Sequence, residues 1–534
     1  MPIITEVKSI DLKIALEIHL SQMPIFGYSD DACDVQFYGN IYNLDTVKAF
    51  EFSRFDKQKF IELLNNISGF FIAVVEDKAA GIKYLANDIF GNFRIYYYEN
   101  KTSLFISDNW QMIVNKVKDE HGKLVIDKNE KYYFSRHHYT TGGRTFIKHV
   151  DKMPPASIYT ISAKGLNKEI YFKKGITKSY NDSYYRDKNF ELISENIRRT
   201  IQAEYKNILF FSGGIDSTYL AVSMQNKNIL FTPVFIKYIP CTKSNIIDKL
   251  KAAAIAKILN MKLEIIETPL TDNLNLLDKP VRRHPFDRAF SINIEYAVSK
   301  LYEKYGSCNI INGQSSDNIY CWGPSSKTVG NFIQRIFTSE IYFKRSMVIK
   351  SLMSAAAKQL YHIKWNTNIG FKIPTTNSDY WVGMLDPQGY LPFIHTDKRY
   401  LEYQNYLSQI AEDTLNCLNR ESETARMYFK LMTYLQGPDN ISFVESCRAY
   451  SHNPVHPFVD ARIVYLKMRY QKELKNLFQP RYVLEELLRE RFKFDAAIIT
   501  KLSKQKVNSN TEFEFESLTK KIYKQWDKIS AKLL

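Results

Sequence analysis

The chain has 534 residues, too many for one ordinary hydrophobic core, so two domains are the expectation and three stay open. Hydrophobic residues make up 45% and charged residues 24%, which excludes wholesale disorder. Lys and Arg outnumber Asp and Glu by 73 to 57, a formal charge of +16, but they are dispersed rather than clustered, which speaks against nucleic-acid binding as the main function.

The opening "MPIITEVKSIDLK" has no basic region followed by a long apolar segment, and the most continuous apolar run, "GFFIAVV", is too short to span a bilayer. A cytoplasmic protein without a membrane partner is expected. From Asp34 to about Phe172, β-branched and aromatic segments such as "FFIAVVED", "GIKYLAND", "FRIYYYEN", "SLFISD" and "SIYTIS" alternate with turn residues, the pattern of an antiparallel meander. The polar stretch Lys173 to Asn189 lacks apolar periodicity and reads as a linker, which divides the chain into domains over 1–175 and 190–534.

After the linker the pattern becomes strand, helix, strand, helix: strand "NILFF", helix "DSTYLAVSMQN", strand "ILFTPVFIKY", helix "IIDKLKAAAIAKILN", strand "KLEIIE", helix "FSINIEYAVSKLYEKY", strand "CNIIN". Such alternation implies a parallel sheet with helices on both faces. From about Phe332 onward helical spacing dominates, as in Thr424 to Leu431 and Val464 to Leu477. The six cysteines show no CxxC and no zinc-ligand spacing, so buried, reduced thiols are expected.

The turn after "NILFF" reads Ser212, Gly213, Gly214, and a helix begins near Asp216 and Ser217. Ligands of open parallel sheets bind at the carboxyl ends of the strands. Two glycines let backbone amides approach an anion, and the helix points its positive end to the same place, so this is a candidate phosphate site. Neither GxxxxGK[ST] nor GxGxxG is present. An acidic residue in a phosphate loop repels the ligand unless a cation lies between them, so Asp216 predicts Mg²⁺.

SGGIDS, Ser212 to Ser217, resembles the pyrophosphate-binding loop of the ATP pyrophosphatase superfamily. The segment "NIINGQSSDNIYCWGPS" resembles the strand-SGEGxDELFGG segment of asparagine synthetases, with Gly313 beside the nucleotide and Asp317 joining Asp216 as a metal ligand. In the amino-terminal half "GNIYN", "ISGFFIAVVED", "LANDIFGNFRIYYY", "FISDN" and "FIKHVDKMPPASIYTI" resemble landmarks of the class II glutamine amidotransferase domain, and "YLQGPDN" and "HPFVDARIV" resemble the final region of asparagine synthetase B. The resemblance implies an α/β protein: an Ntn-type αββα amidotransferase-like domain, then a doubly wound parallel-sheet ATP pyrophosphatase (adenine nucleotide α-hydrolase-like) domain with a helical carboxyl-terminal part. It implies ATP and Mg²⁺ as cofactors.

The chain departs from that family at two places. Glutamine hydrolysis there needs a cysteine directly after the initiator methionine; here Pro2 stands in its place, the first cysteine is Cys33, and the family's NGE reads Tyr38-Gly39-Asn40, so glutaminase activity is not expected. Where the family carries a Glu that handles the proton of the attacking ammonia, this chain has Gln314, an amide that cannot act as a general base. Glu445 and the lysines Lys501, Lys504 and Lys506 of "KLSKQKVN" are candidate substitutes, with Lys504 preferred.

Loss of that cysteine is shared with β-lactam synthetases and lasso-peptide cyclases. The expected function is an ATP-dependent synthetase that adenylates a small-molecule or peptide carboxylate and forms an amide, lactam or macrolactam. The alternatives are amidation of aspartate or a uronic acid with ammonia, an inactive nucleotide-binding scaffold, and a tRNA-thiolating enzyme that would use Cys321. Whether the chain forms a homodimer or works with a partner biosynthetic enzyme stays open.

Overall fold

The computed structural model describes residues 3–5, 15–100, 103–163, 165–172, 181–269, 276–283, 285–286, 292–320, 398–418, 422–435, 438–470, 481–504 and 512–533. The chain divides into two compact units, each discontinuous. One holds Met1–Tyr180, Tyr320–Gln436 and Val464–Pro480; the other holds Asn181–Ile319, Gly437–Ile463 and Arg481–Leu534.

In the first unit, β1 (Ile3–Thr5), β2 (Ala15–Leu20), β3 (Phe26–Ser29) and β4 (Cys33–Ile41) precede two short helices, α1 (Leu44–Lys48) and α2 (Lys57–Leu64). Strands β5 (Gly69–Asp77), β6 (Ile82–Asn87), β7 (Tyr96–Glu99) and β8 (Ser103–Ser107) follow, then α3 (Trp110–His121), α4 (Lys128–His137), β9 (Asp151–Lys152), β10 (Ser157–Ser162) and β11 (Gly165–Ile170). All five segments quoted above as strands are strands, but they do not form one meander. A six-stranded antiparallel sheet runs β11-β10-β6-β5-β4-β3, and a second sheet runs β1-β2-β8-β7-β9 with β2 and β8 parallel.

Alternation explains the crossing from sheet to sheet. Leu16, Ile18 and Leu20 of β2, Leu104 and Ile106 of β8, Ile72 of β5 and Tyr159 and Ile161 of β10 share one buried cluster, so the inner faces of the two sheets meet there. Outside the first sheet Phe60 of α2 meets Phe37 with ring centroids 6.4 Å apart. Outside the second, α3 lies on β7 and β8 and buries Trp110, Ile113, Val114 and Val117 at helical spacing. The layers are helix, sheet, sheet, helix.

The second unit begins earlier than the polar composition suggests. Residues 173–180 lie outside the described residues, but α5 spans Asp182–Thr200, so the second half of the expected linker is helix. Its Asn181 side chain caps the Tyr184 amide at 2.7 Å. Arg186 pairs with Glu486 at 2.8 Å and Glu490 at 3.1 Å, partners 300 positions away or more that no local pattern reveals.

Then come β12 (Lys206–Phe210), α6 (Ile215–Asn226), β13 (Thr232–Ile239), α7 (Lys243–Ile258), β14 (Glu264–Pro269), α8 (Asp278–Arg283), α9 (Ile292–Tyr305), β15 (Cys308–Ile311) and α10 (Ser316–Tyr320), the order expected. Residues 321–397 lie outside the described residues. Beyond them α11 (Lys398–Cys417) and α12 (Ser422–Lys430) belong to the first unit, where Tyr406 of α11 donates to the buried Glu130 of α4. The chain continues with α13 (Pro438–Ala449), β16 (Asn453–Val455), α14 (Ala461–Arg469), α15 (Tyr482–Phe492), α16 (Ala497–Ser503) and α17 (Glu512–Leu533).

The five strands of the second unit run parallel in the order β14-β13-β12-β15-β16. Successive strands step one way from β12 to β14, and β15 then restarts on the other side of β12. The switch point of this doubly wound sheet therefore lies between β12 and β15. Asn309, fully buried on β15, ties that junction: its side chain donates to Gln202 O and Asn207 Oδ1, both at 2.8 Å, and accepts from Asn453 Nδ2 of β16 at 2.7 Å. The described cysteines are free; Cys33, Cys308 and Cys447 are buried as expected, whereas Cys241 is half-buried and Cys417, on α11, is exposed.

Candidate functional site

The loop after β12 and the loop after β15 meet at the switch point. A Cβ on Gly313 would lie 3.2 Å from the Asp216 Cβ and 3.3 Å from the Ser217 amide, so the two segments nearly touch there. This crevice brings together Ser212, Gly213, Gly214, Asp216, Ser217, Gly313, Gln314 and Asp317.

The two glycines do different work. Gly213 has φ +66°, and a Cβ there would come within 2.6 Å of the Ala252 amide nitrogen on α7, so backbone conformation and close packing both demand glycine. Gly214 has φ −72° and is the N-cap residue of α6. It offers no side chain to the first-turn amides of α6, whereas Asn181 and Thr242 cap α5 and α7 with their own oxygens. An uncapped helix start beside a serine-glycine turn leaves N–H groups open to an anion. Ser212 Oγ accepts from the Gly214 amide and lies 3.3 Å from Ser217 Oγ, and Ser217 Oγ donates to Gly214 O at 3.2 Å, so both hydroxyls line the same turn.

Asp216, in the first turn of α6, has one oxygen bonded to the Ser316 hydroxyl and the other to the Arg481 guanidinium. Burial pushes its carboxyl above the usual range; Asp317 adds to that push, and Arg481 and Ser316 oppose it. The other Arg481 nitrogen lies 3.9 Å from Asp317, so one guanidinium spans both acids. Arg481 was not found from the sequence. It stands just before α15, 265 positions from Asp216, in a stretch with no motif of its own.

The second loop is braced locally. Gln314 accepts from Asn312 Nδ2 at 2.8 Å, and its amide donates to Asn312 Oδ1 at 3.0 Å. Ser315 holds φ +70°, a region that non-glycine residues seldom occupy, and its hydroxyl donates to Asn440 of α13 at 2.8 Å. Gln314 thus sits in the crevice, tied to its own turn.

Two further candidates are not brought to the loop by any described contact. Glu445 lies on α13 and pairs with Arg448 at 3.2 Å. Lys504 is exposed at the end of α16, without a side-chain hydrogen bond or ion pair among the described residues. Lys501 is exposed on α16, and Lys506, Cys321 and Pro2 lie outside the described residues.

Among the described residues there is no group of three or more His, Cys, Asp or Glu able to hold a metal. Mg²⁺ at a nucleotide needs only one or two carboxylates alongside phosphate and water oxygens, and Asp216 with Asp317 is a donor set of that kind. No helix among the described residues is long and apolar enough to cross a membrane.

Fold and site together define an α/β protein whose parallel sheet presents an uncapped serine-glycine turn and two acids at its switch point. No family model matches the chain, and no curated protein matches it. Among solved structures it is similar to an NH3-dependent NAD synthetase from Campylobacter jejuni, at 15% identity over 35% of this chain and 88% of that one, TM-score 0.19. It is also similar to an NMN synthetase from Francisella tularensis, at 12% identity over 44% and 96%, TM-score 0.21, and to a U34-tRNA thiolase from Methanococcus maripaludis, at 13% over 48% and 81%, TM-score 0.20.

Proposed function

We propose that the chain is an ATP-dependent, AMP- and pyrophosphate-forming amide synthetase of the asparagine synthetase B type, without glutaminase activity. The observation that carries the reading is the Ser212–Ser217 turn at the switch point, with Asp216 and Asp317 joined by Arg481. A carboxylate oxygen of the substrate attacks the α-phosphorus of ATP; the bond from that phosphorus to the bridging oxygen breaks, and pyrophosphate departs onto the loop. An amine then attacks the acyl carbon, the acyl–oxygen bond breaks, and AMP leaves with the amide formed.

In this reading Ser212, Ser217 and the first-turn amides of α6 hold the departing pyrophosphate. Asp216 and Asp317 would hold Mg²⁺ brought with ATP, which would offset the phosphate charge. Arg481 keeps the two acids neutralised until the nucleotide arrives and then turns a donor to its phosphates. Gln314 cannot take the proton of the attacking amine, so that proton passes to another acceptor; with no glutaminase to supply ammonia, an amine already joined to the substrate, closed into a lactam or macrolactam, is the preferred nucleophile.

The test is ATP–pyrophosphate exchange with Mg²⁺ across aspartate, N-carboxyethyl amino acids, uronic acids and peptides with acidic side chains. Exchange with one of the acids other than aspartate, lost by at least 100-fold in Asp216→Ala, is the expected result. Exchange that needs aspartate would return the chain to ammonia-using asparagine synthesis. ATP binding with no exchange for any acid would favour the inactive scaffold.

A further inference from the structure

The first unit contains a cavity of about 330 Å³, at the small end of the range for ligand pockets, about 300–1,000 Å³. It lies at β7 and β9 in the smaller sheet. Tyr38-Gly39-Asn40, the segment the resemblance would put at glutamine, lies on β4 in the other sheet.

Charged side chains of both signs line it, and they divide into two groups. Glu99 and Asp127 are committed elsewhere: Glu99 pairs with Lys168 at 2.6 Å, and Asp127 caps α4 by accepting the amides of Asn129 and Glu130 at 2.9 and 3.1 Å. Asp151, Arg144 and Lys148 are not. Among the described residues none of the three makes a side-chain hydrogen bond or an ion pair within 4.0 Å.

That is notable for Asp151 and Arg144 because their backbones are paired directly across an antiparallel bridge. Opposite charges so placed ordinarily close into an ion pair. Here both heads line a cavity and stay apart. Asp151 is half-buried; burial pushes its carboxyl above the usual range, with Arg144 opposing the shift. The walls are fixed: Asp151 stands opposite Tyr97 in the β7–β9 register, and the His149 ring is stacked on His121 at 4.9 Å and 13°.

A guanidinium and an ammonium lining one cavity with a half-buried carboxylate, and a gap between the signs, complement a small molecule that carries both charges. We propose that this cavity binds a small zwitterion of the α-amino-acid type, its carboxylate on Arg144 and Lys148 and its ammonium on Asp151. The site is separate from the nucleotide loop and does not depend on the proposed synthetase reaction.

The test is titration calorimetry on the full chain without nucleotide, with each of the twenty common L-amino acids and the N-acetyl form of any that binds. At least one amino acid binds, its N-acetyl form binds at least tenfold more weakly, and Arg144→Gln and Asp151→Asn each weaken binding at least tenfold. Asp216→Ala leaves the affinity unchanged. Should Asp151→Asn fail to fold, Arg144→Gln and Lys148→Gln decide, since both side chains are exposed. No binding by any of the twenty, equal binding of the N-acetyl form, unchanged affinity in Arg144→Gln, or loss of binding in Asp216→Ala would each overturn the assignment.

Discussion

Asp88 in the first unit and Asp216 in the second both follow a β-strand closely, and burial pushes both carboxyls up. They differ in what answers them. Asp88 accepts backbone amides from Phe71, Phe90, Asn92 and Phe93, at 2.9 to 3.3 Å. Asp216 is answered by two side chains, Ser316 and Arg481. A carboxylate held by the backbone of its own turn can be released only by opening the turn. One held by side chains can exchange partners, and that is what a ligand-binding acid requires.

The largest expected effect follows directly. Asp88→Ala strands several buried N–H donors and should cost on the order of 3–5 kcal/mol in urea unfolding. Asp216→Ala removes a desolvated charge whose partner Arg481 can turn to water, and its stability should stay within about 1 kcal/mol of the parent. Equal losses in the two variants would remove the distinction.

The glycine pair sharpens the comparison at smaller scale. Gly213→Ala meets both an unfavourable φ and the backbone of α7 and should cost about 2–4 kcal/mol. Gly214→Ala meets only Ser212 Oγ at 3.2 Å, at an ordinary φ. It should fold with a loss under about 1 kcal/mol, so any fall in its ATP affinity reports on the loop and not on the scaffold.

The smallest effect is in pH. The Asp88 carboxyl is pushed from 3.8 to about 6, so the native state holds its proton more tightly than the unfolded chain does. Its contribution is therefore fully present below about pH 4 and is lost as pH rises through about 6, with a slope of at most about 1.4 kcal/mol per pH unit. Unfolding free energies of the parent and Asp88→Asn from pH 4 to 7 should differ in slope over that window; parallel curves would show that the four amides outweigh burial.

The alternation of strands and helices from β12 to β15 was legible because each apolar run is short and each helix has its own signals. The serine-glycine turn was legible for the same reason: Ser212 to Ser217 is one contiguous stretch. What escaped depends on distance along the chain. Asp182 to Asn189 looks like a linker because the partners of its Arg186 lie on α15, and Arg481 carries no signal until the fold sets it against Asp216. The division of the early strands between two sheets escaped as well, since Tyr96 to Ser107 alternates no differently from the strands of the sheet it leaves.

The 265 positions between Asp216 and Arg481 matter during synthesis. A ribosome adding about 5–20 residues per second finishes the serine-glycine turn and Asp216 roughly 13–53 seconds before the arginine that pairs with that acid. A chain released within that interval would carry the entire turn and lack the guanidinium that pairs with its acid, so the Asp216–Arg481 pair forms only in a chain whose translation has passed residue 481.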